Sequence, residues 1–330
     1  MLETAWTRSC CFMLDSNLLS IVIVNWNAGV QLVNVIYSIS QYHHGYVSSV
    51  IVVDNNSTDD SLTQVATLQN LPFQLQIIYN TDNRGFGAAC NQGAALAVSQ
   101  FILFLNPDTR LFENSLPVPL AFMQDPKNRN TGVVGIQLLD EQNRVARSCA
   151  RLPTLSMFTA QMLGVNRLPG LRQLNMHMAN WKHDKTCTVE HVIGAYYLIR
   201  RSIFESLGGF DERFFVYLED LDLSLRIGQA GFASTYLAEA QAFHAGGGIS
   251  RQVKVHRLFY SLRSRLLYGF KHFSPWQALA LVLLTLSVEL MTRTIFSLCG
   301  GRFYEVRIIW RAYCMLWVSL KTIFKIGRQL

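Results

Sequence analysis

In this 330-residue sequence a few polar side chains follow apolar runs closely enough to do chemistry together. Asp54 comes directly after Val47 to Val53 (VSSVIVV) and opens the polar turn Asp54 to Asp60. A carboxylate there can accept from a base N–H or a ribose hydroxyl, and it can equally form an Asx-turn or cap a helix. Asp108 follows Phe101 to Leu105 (FILFL) after Asn106-Pro107. Hard divalent cations take a few carboxylates and complete their shell with substrate oxygens, so Asp108 suits Mg²⁺ or Mn²⁺ held against a diphosphate; N-P-D is also an ordinary turn. Glu219-Asp220-Leu221-Asp222 opens a helical stretch behind the aromatic run Phe214-Phe215-Val216-Tyr217. Such acids serve either as a general base beside a ligand cleft or as charges that complement a helix N-terminus. His244, before Gly246-Gly247-Gly248, is a metal ligand in one reading and a structural ring in the other.

The elements that must position these residues alternate. Leu19 to Val24, Val47 to Val53, Leu75 to Tyr79 and Phe101 to Leu105 read as buried strands. Helical segments are expected near 30–40 and 61–69, and after the loop Asn80 to Gly87 the small residues of AACNQGAALA suggest a helix lying close on a sheet. This order implies a doubly wound α/β sheet with ligands at the carboxyl ends of its strands. Further on, 132–139, 189–200 and 233–242 read as strands, 204–215 as a loop and 218–230 as a helix, while 144–185 stays ambiguous. Asp220 and Ser224 then share one helix face.

Several chemistries are excluded. Arg84-Gly85-Phe86-Gly87 lacks the third glycine of a dinucleotide fingerprint and follows the wrong strand. No Walker A loop, H-E-x-x-H or G-x-S-x-G is present. The seven cysteines are odd in number, without a C-x-x-C pair, as expected of reduced thiols. The first strand ends at Asn25-Trp26-Asn27 rather than in a glycine-rich turn, which argues against a nucleotidyltransferase.

The net charge of +7 divides unevenly. From Arg251 to Leu330, 13 Lys and Arg face only Glu289 and Glu305, a balance of +11, which leaves −4 for the first 250 residues. A uniformly basic nucleic-acid-binding protein is thereby disfavoured, and no nucleic-acid partner is expected. Residues 251–271 interleave Arg251, Lys254, Arg257, Arg263, Arg265 and Lys271 with apolar residues, as in a helix that meets anionic lipid. Trp276 to Leu298 is apolar enough to cross a bilayer, but Glu289 and Arg293 favour an in-plane or core-packed helix, and the alternative is that these helices pack on the globular body. Residues 1–17 form an extension without the features of a signal peptide, and Met13 is an alternative start.

Taken together, IVIVNWN (21–27), VIVVDNNSTDDS (50–61), NTDNRGFGAACNQG (80–93), FLNPDTRL (104–111), GGFDERFFVYLEDLDLSLRIGQAGF (208–232) and FHAGGG (243–248) resemble the family 2 glycosyltransferases of GT-A fold. The resemblance is greatest to the rhamnosyltransferase-like branch of bacterial surface-polysaccharide biosynthesis. It implies a GT-A domain over 18–250, with the C-terminal amphipathic and apolar helices of 251–330 as a membrane-association region. By position it implies that Asp54 contacts the nucleotide base, that Asn83 and Arg84 border the donor pyrophosphate and sugar, and that Asp220 is the catalytic base with Glu219 beside it. Asp108 matches the last residue of the D-x-D metal motif and His244 a histidine that completes the metal site. Asn106 stands where that motif has its first aspartate, one carboxylate fewer. Without the Q-x-x-R-W motif of processive members, the expectation is inverting transfer of one sugar from a nucleotide-sugar to a lipid-linked acceptor at the cytoplasmic face of the inner membrane. dTDP-rhamnose is the favoured donor, with UDP- and GDP-sugars as alternatives, and a homo-oligomer is compatible. The competing reading is a catalytically degenerate nucleotide-sugar-binding scaffold of an assembly complex.

Overall fold

The computed structural model describes residues 18–43, 45–178, 180–246 and 253–327. The extension 1–17 with Met13, and Arg251 and the last two glycines of FHAGGG, lie outside the described residues. In chain order the elements are β1 (Leu19–Asn25), α1 (Val30–His43), β2 (Val47–Asp54), α2 (Ser61–Val65), β3 (Gln74–Tyr79), α3 (Phe86–Ala94), β4 (Phe101–Leu105), β5 (Thr109–Leu111), α4 (Pro117–Gln124) and β6 (Thr131–Leu139). There follow β7 (Cys149–Ala150), α5 (Leu155–Leu163), β8 (Cys187–Val189), β9 (His191–Val192), β10 (Tyr196–Arg200), α6 (Arg201–Ser206), α7 (Glu219–Gln229), β11 (Ala233–His244), α8 (Lys254–His272), α9 (Pro275–Leu284), α10 (Leu290–Cys299) and α11 (Phe303–Gly327).

The central sheet has the order β3-β2-β1-β4-β10-β6-β11-β5, with β8 also paired to β11. β3, β2, β1 and β4 are mutually parallel, and β10 runs antiparallel to both β4 and β6. Every residue of β1 is buried, because helices cover both faces. Ile21, Ile23, Val50 and Val52 pack towards Leu32, Val35 and Ile36 of α1. Their neighbours Val22, Ile51 and Val53 pack towards α3, α6 and α7. The small residues of α3 allow a close approach: a Cβ on Gly93 would lie 2.4 Å from Val22 Cγ1.

The structure departs from the sequence expectations in three local respects. The single strand over 189–200 is divided among the end of β8, β9 and β10, with breaks at Glu190 and Ile193–Ala195. The loop over 204–215 begins as the end of α6, and the helix over 61–69 shortens to α2. Of the ambiguous stretch 144–185, α5 is the one α-helix among the described residues.

A third apolar cluster joins Phe158 and Met162 of α5, Phe214 and Leu221 to Leu262, Leu266, Leu281, Tyr313 and Leu316 of the C-terminal helices. The tail therefore packs on the globular body. Three cations expected to meet lipid turn inward instead. Arg265 is buried and paired with Glu289, which also binds Arg293 Nη2 at 2.7 Å. Arg263 Nη1 donates to Arg213 O at 3.0 Å, and Lys271 Nζ meets Asp211 Oδ2 at 2.6 Å. Pairing is the physical reason, since a helix packed on an acidic surface lowers its charge cost by facing that surface. Lys254, Arg257, Arg307, Arg311, Lys321 and Lys325 remain exposed.

Candidate active site

The carboxyl end of β2 delivers Asp54. Its Oδ1 accepts from Asn25 Nδ2 at 2.7 Å and its Oδ2 from Ser57 N at 3.0 Å. Asp54 thus builds the Asx-turn of the sequence reading, at the carboxyl end of β2. Asn25 was not singled out by sequence, although its Nδ2 also donates to Ser57 and Ser61 and ties the first two strand ends together.

The next loop is tied to this one. Asn80 N donates to Asp54 O at 2.9 Å, and Asn55 Nδ2 to Gly85 O at 3.1 Å. Asn83 Oδ1 accepts from Gly85 N at 3.0 Å, which shapes the turn, while Arg84 is exposed. Gly85 has φ +85°, and a Cβ there would meet Phe215 O at 2.2 Å. Only glycine permits both that conformation and that approach. Phe86 N donates to the same Phe215 O at 2.8 Å, so the Asn83-Arg84 loop rests on the segment leading into α7.

That segment enters α7 through Tyr217 and Leu218, both with positive φ (70° and 67°). Left-handed backbone at two successive residues with Cβ atoms costs on the order of 1–3 kcal/mol each. The strain turns the first residues of α7 back to the sheet. Asp220 Oδ2 accepts from Gly194 N at 2.7 Å, and its side chain keeps 19% of its surface exposed. Glu219 behaves differently. It is buried, Oε2 has no hydrogen-bond partner among the described residues, and burial first and the neighbouring Asp220 second push its carboxyl well above the ordinary range. The adjacent acids therefore differ: Asp220 is half-buried and hydrogen-bonded, whereas Glu219 is enclosed, which favours its neutral form. The third, Asp222, is fully enclosed and bound by Arg226, Lys271 and His272, so side-chain cations rather than the helix terminus balance its charge.

Asp108 and His244 lie far apart in sequence but meet through the sheet. β5 runs antiparallel to β11 with Thr109 opposite His244. His244 Nε2 then stands 3.3 Å from Asp108 Oδ1. Among the described residues this buried nitrogen has no hydrogen-bond partner, as suits a ring that donates its lone pair to a cation. Among the described residues no group of three His, Cys, Asp or Glu gathers for a metal. Two protein donors fit an ion whose remaining ligands are phosphate oxygens and water.

The break between β9 and β10 joins the two halves of the site. Asn106 N donates to Ala195 O at 3.0 Å, while the adjacent Gly194 N holds Asp220. The structure therefore gathers Asp54, Asn83, Asn106, Asp108, Asp220 and His244 along one end of the sheet, and places Glu219 behind them. Sequence reasoning missed Gly194 and His191. The latter is buried, with Nε2 3.7 Å from Asp220 Oδ2. It opens the two-residue strand β9, where no motif marks it.

The chain is similar in sequence and fold to several known proteins. The N-acetylglucosaminyl-diphospho-decaprenol L-rhamnosyltransferase of Mycobacterium tuberculosis is 27% identical over 280 residues, 80% of this chain and 88% of its own. The O-antigen chain rhamnosyltransferase WbaN of Salmonella anatum is 29% identical over 237 residues, 71% of this chain and 68% of its own. Among solved structures, the mannosyltransferase PcManGT from Pyrobaculum calidifontis, in complex with GDP-Man and Mn²⁺, is similar in fold with a TM-score of 0.53. It is 15% identical, over 94% of this chain and 85% of its own. The family model for glycosyl transferase family 2 matches residues 20–208. With more than half of its length matched and a GT-A-type mixed sheet in its structure, the chain belongs to glycosyl transferase family 2 and is a glycosyltransferase.

Proposed function

We propose that this glycosyltransferase moves one sugar, with inversion, from a nucleoside diphosphate to a hydroxyl of a lipid-linked glycan. The carrying observation is the 194–195 bridge, which ties the Asp220 carboxylate to the Asn106-Pro107-Asp108 loop. A base and a diphosphate holder fixed to the same two residues can act on opposite sides of one anomeric carbon.

The chain's own residues supply the steps. Asp54 and Asn25 receive the base, and the Asn83-Arg84 loop borders the pyrophosphate and sugar. Asp220 accepts the proton of the acceptor hydroxyl as its oxygen bonds to the anomeric carbon. The bond to the diphosphate breaks with its electron pair leaving on the phosphate oxygen. General-base assistance of this kind contributes on the order of 10²- to 10⁴-fold. Asp108 and His244 would hold Mg²⁺ or Mn²⁺, which when bound offsets charge on the departing diphosphate.

The donor reading is dTDP-L-rhamnose, supported by the rhamnosyltransferase names of the relatives, with UDP- and GDP-sugars as the alternatives. The lipid-linked acceptor and the cytoplasmic membrane face are supported by an exposed apolar surface on α9, α10 and α11. Trp276 is 81% and Val318 85% exposed, with Leu283, Met291 and Phe296 alongside. Pro275–Cys299 has the length and composition of a membrane span, but Glu289 is buried against Arg265 of α8. A helix with such an ion pair at its protein side and apolar residues outside suits the plane of the interface. A thermal-shift screen of dTDP-, UDP- and GDP-sugars with and without Mn²⁺ tests the donor. Selective stabilisation by dTDP-rhamnose supports the reading, and stabilisation by another donor alone replaces it.

A further inference from the structure

We infer that His191 is a positioning residue for the base Asp220, acting through a directed hydrogen-bond chain Tyr197–Ser224–His191. The inference rests on the reading of Asp220 as the base.

Tyr197, Ser224 and His191 are all buried, and they come from three different elements. Tyr197 on β10 places its hydroxyl 3.0 Å from Ser224 Oγ on α7. Ser224 Oγ lies 2.9 Å from His191 Nδ1 on β9. His191 Nε2 faces Asp220 Oδ2 at 3.7 Å. One turn of α7 separates Asp220 from Ser224, so a single helix face holds both ends of the arrangement against one imidazole.

The direction of the chain follows from its far end: a carboxylate oxygen facing Nε2 favours the tautomer with its proton on that nitrogen, which leaves Nδ1 as the acceptor. In that tautomer the Ser224 hydroxyl donates to His191 Nδ1 and accepts from the Tyr197 phenol. The ring proton then sits on Nε2, towards the carboxylate. Burial lowers the titration of His191 despite the opposing pull of Asp220, so the ring faces the base as a neutral dipole. At 3.7 Å this is an electrostatic contact, longer than a hydrogen bond. In the water-poor interior such a fixed N–H dipole favours ionised over protonated carboxylate and holds the side chain to one orientation.

Other charges face the same place. Glu219 precedes Asp220 on α7, Cys90 looks across from α3, and His177 lies towards His191. The Glu219 carboxyl and the Cys90 thiol are both pushed up by burial, and His177 is lowered by burial and then by Arg147. Each of these shifts favours the neutral form of its group, and His191 is the ring that faces the Asp220 carboxyl directly.

The test is the pH profile of kcat for the full-length enzyme with donor, Mn²⁺ and acceptor. His191→Phe should lower kcat about tenfold, leave the donor KM unchanged, and move the acid limb up by about half a pH unit. His191→Gln keeps an N–H near the Nε2 position and should restore most of the rate and the limb. Tyr197→Phe, which leaves Ser224 free to turn, should move the limb the same way by less. An unmoved acid limb in His191→Phe, or a His191→Gln variant as slow as His191→Phe, overturns the inference. If His191→Phe does not fold, the Tyr197→Phe profile decides alone. Asp220→Asn runs alongside: if it keeps near wild-type transfer, the base is elsewhere; if it is inactive while the His191→Phe limb is unmoved, only the role of His191 fails.

Discussion

Lys271 Nζ lies 2.7 Å from Asp222 Oδ1, two residues along α7 from Asp220. The same lysine bonds Asp211, and its neighbour His272 bonds Asp222 at 2.7 Å. The C-terminal helices, which carry the exposed apolar surface, are thereby fastened to the helix that carries the base. Phe215 stacking on Tyr260 at 4.3 Å, and Ser264 Oγ donating to Val216 O at 2.7 Å, fasten the segment before it.

Removing the buried centre of this clamp should cost stability. Asp222→Asn leaves Arg226, Lys271 and His272 facing a neutral amide, with an expected loss of about 3 kcal/mol in denaturant unfolding at pH 7. Burial alone would raise the carboxyls of Asp222 and Asp211, but the cations around each hold both below the usual range. A carboxyl depressed in the folded state stabilises at pH above its unfolded value, ~3.9, and the contribution is lost as pH falls through the folded value. Stability of the wild type should therefore fall below about pH 4, and Asp222→Asn should show a shallower fall over that window. Equal acid slopes in the two proteins would assign the acid sensitivity to other groups.

Gly85→Ala addresses the loop beside the base. The new Cβ would meet Phe215 O, so either the Asn83-Arg84 loop or the segment before α7 must move. A displacement of about 1 Å at a reacting centre costs on the order of 100-fold in rate. The expected outcome is a folded protein, by circular dichroism, with transfer reduced to about that extent. A variant with wild-type kinetics would show that the two loops do not set the geometry.

Metal dependence has a direct readout. Asp108→Asn should lower kcat/KM for the donor by about 100-fold at fixed Mn²⁺ and raise the Mn²⁺ concentration for half-maximal rate. Full activity of the wild type in excess chelator would remove the role given to Asp108 and His244.

The membrane reading is tested by vesicle sedimentation. Trp276→Ser combined with Val318→Ser should weaken binding to anionic vesicles at least about tenfold, since two large apolar contacts are lost. Raising salt should weaken it further through Lys254, Arg257 and the exposed cations of α11. No change in either experiment would leave the apolar surface to another partner.

The sequence made the sheet, the positions of its first four strands in the chain and the turns that hold Asp54 and Asp108 legible, because each turn follows a continuous apolar run. The facing of the tail cations was not legible: Arg265 and Lys271 have the spacing of a lipid-facing helix, and only the tertiary position of Glu289, Asp211 and Asp222 turns them inward. His191 escaped for a related reason. No motif surrounds it in the chain, and its chemistry comes from α7, 29 positions or more further on. The pairing of His244 with Asp108 depends on a strand register that no local pattern encodes.

The central claim is that Asp220 takes the acceptor proton. Single-turnover transfer by Asp220→Asn, measured beside donor binding by calorimetry, tests it most directly. Donor affinity should stay near wild type while transfer falls on the order of 10²- to 10⁴-fold. Transfer near the wild-type rate with donor bound would contradict it.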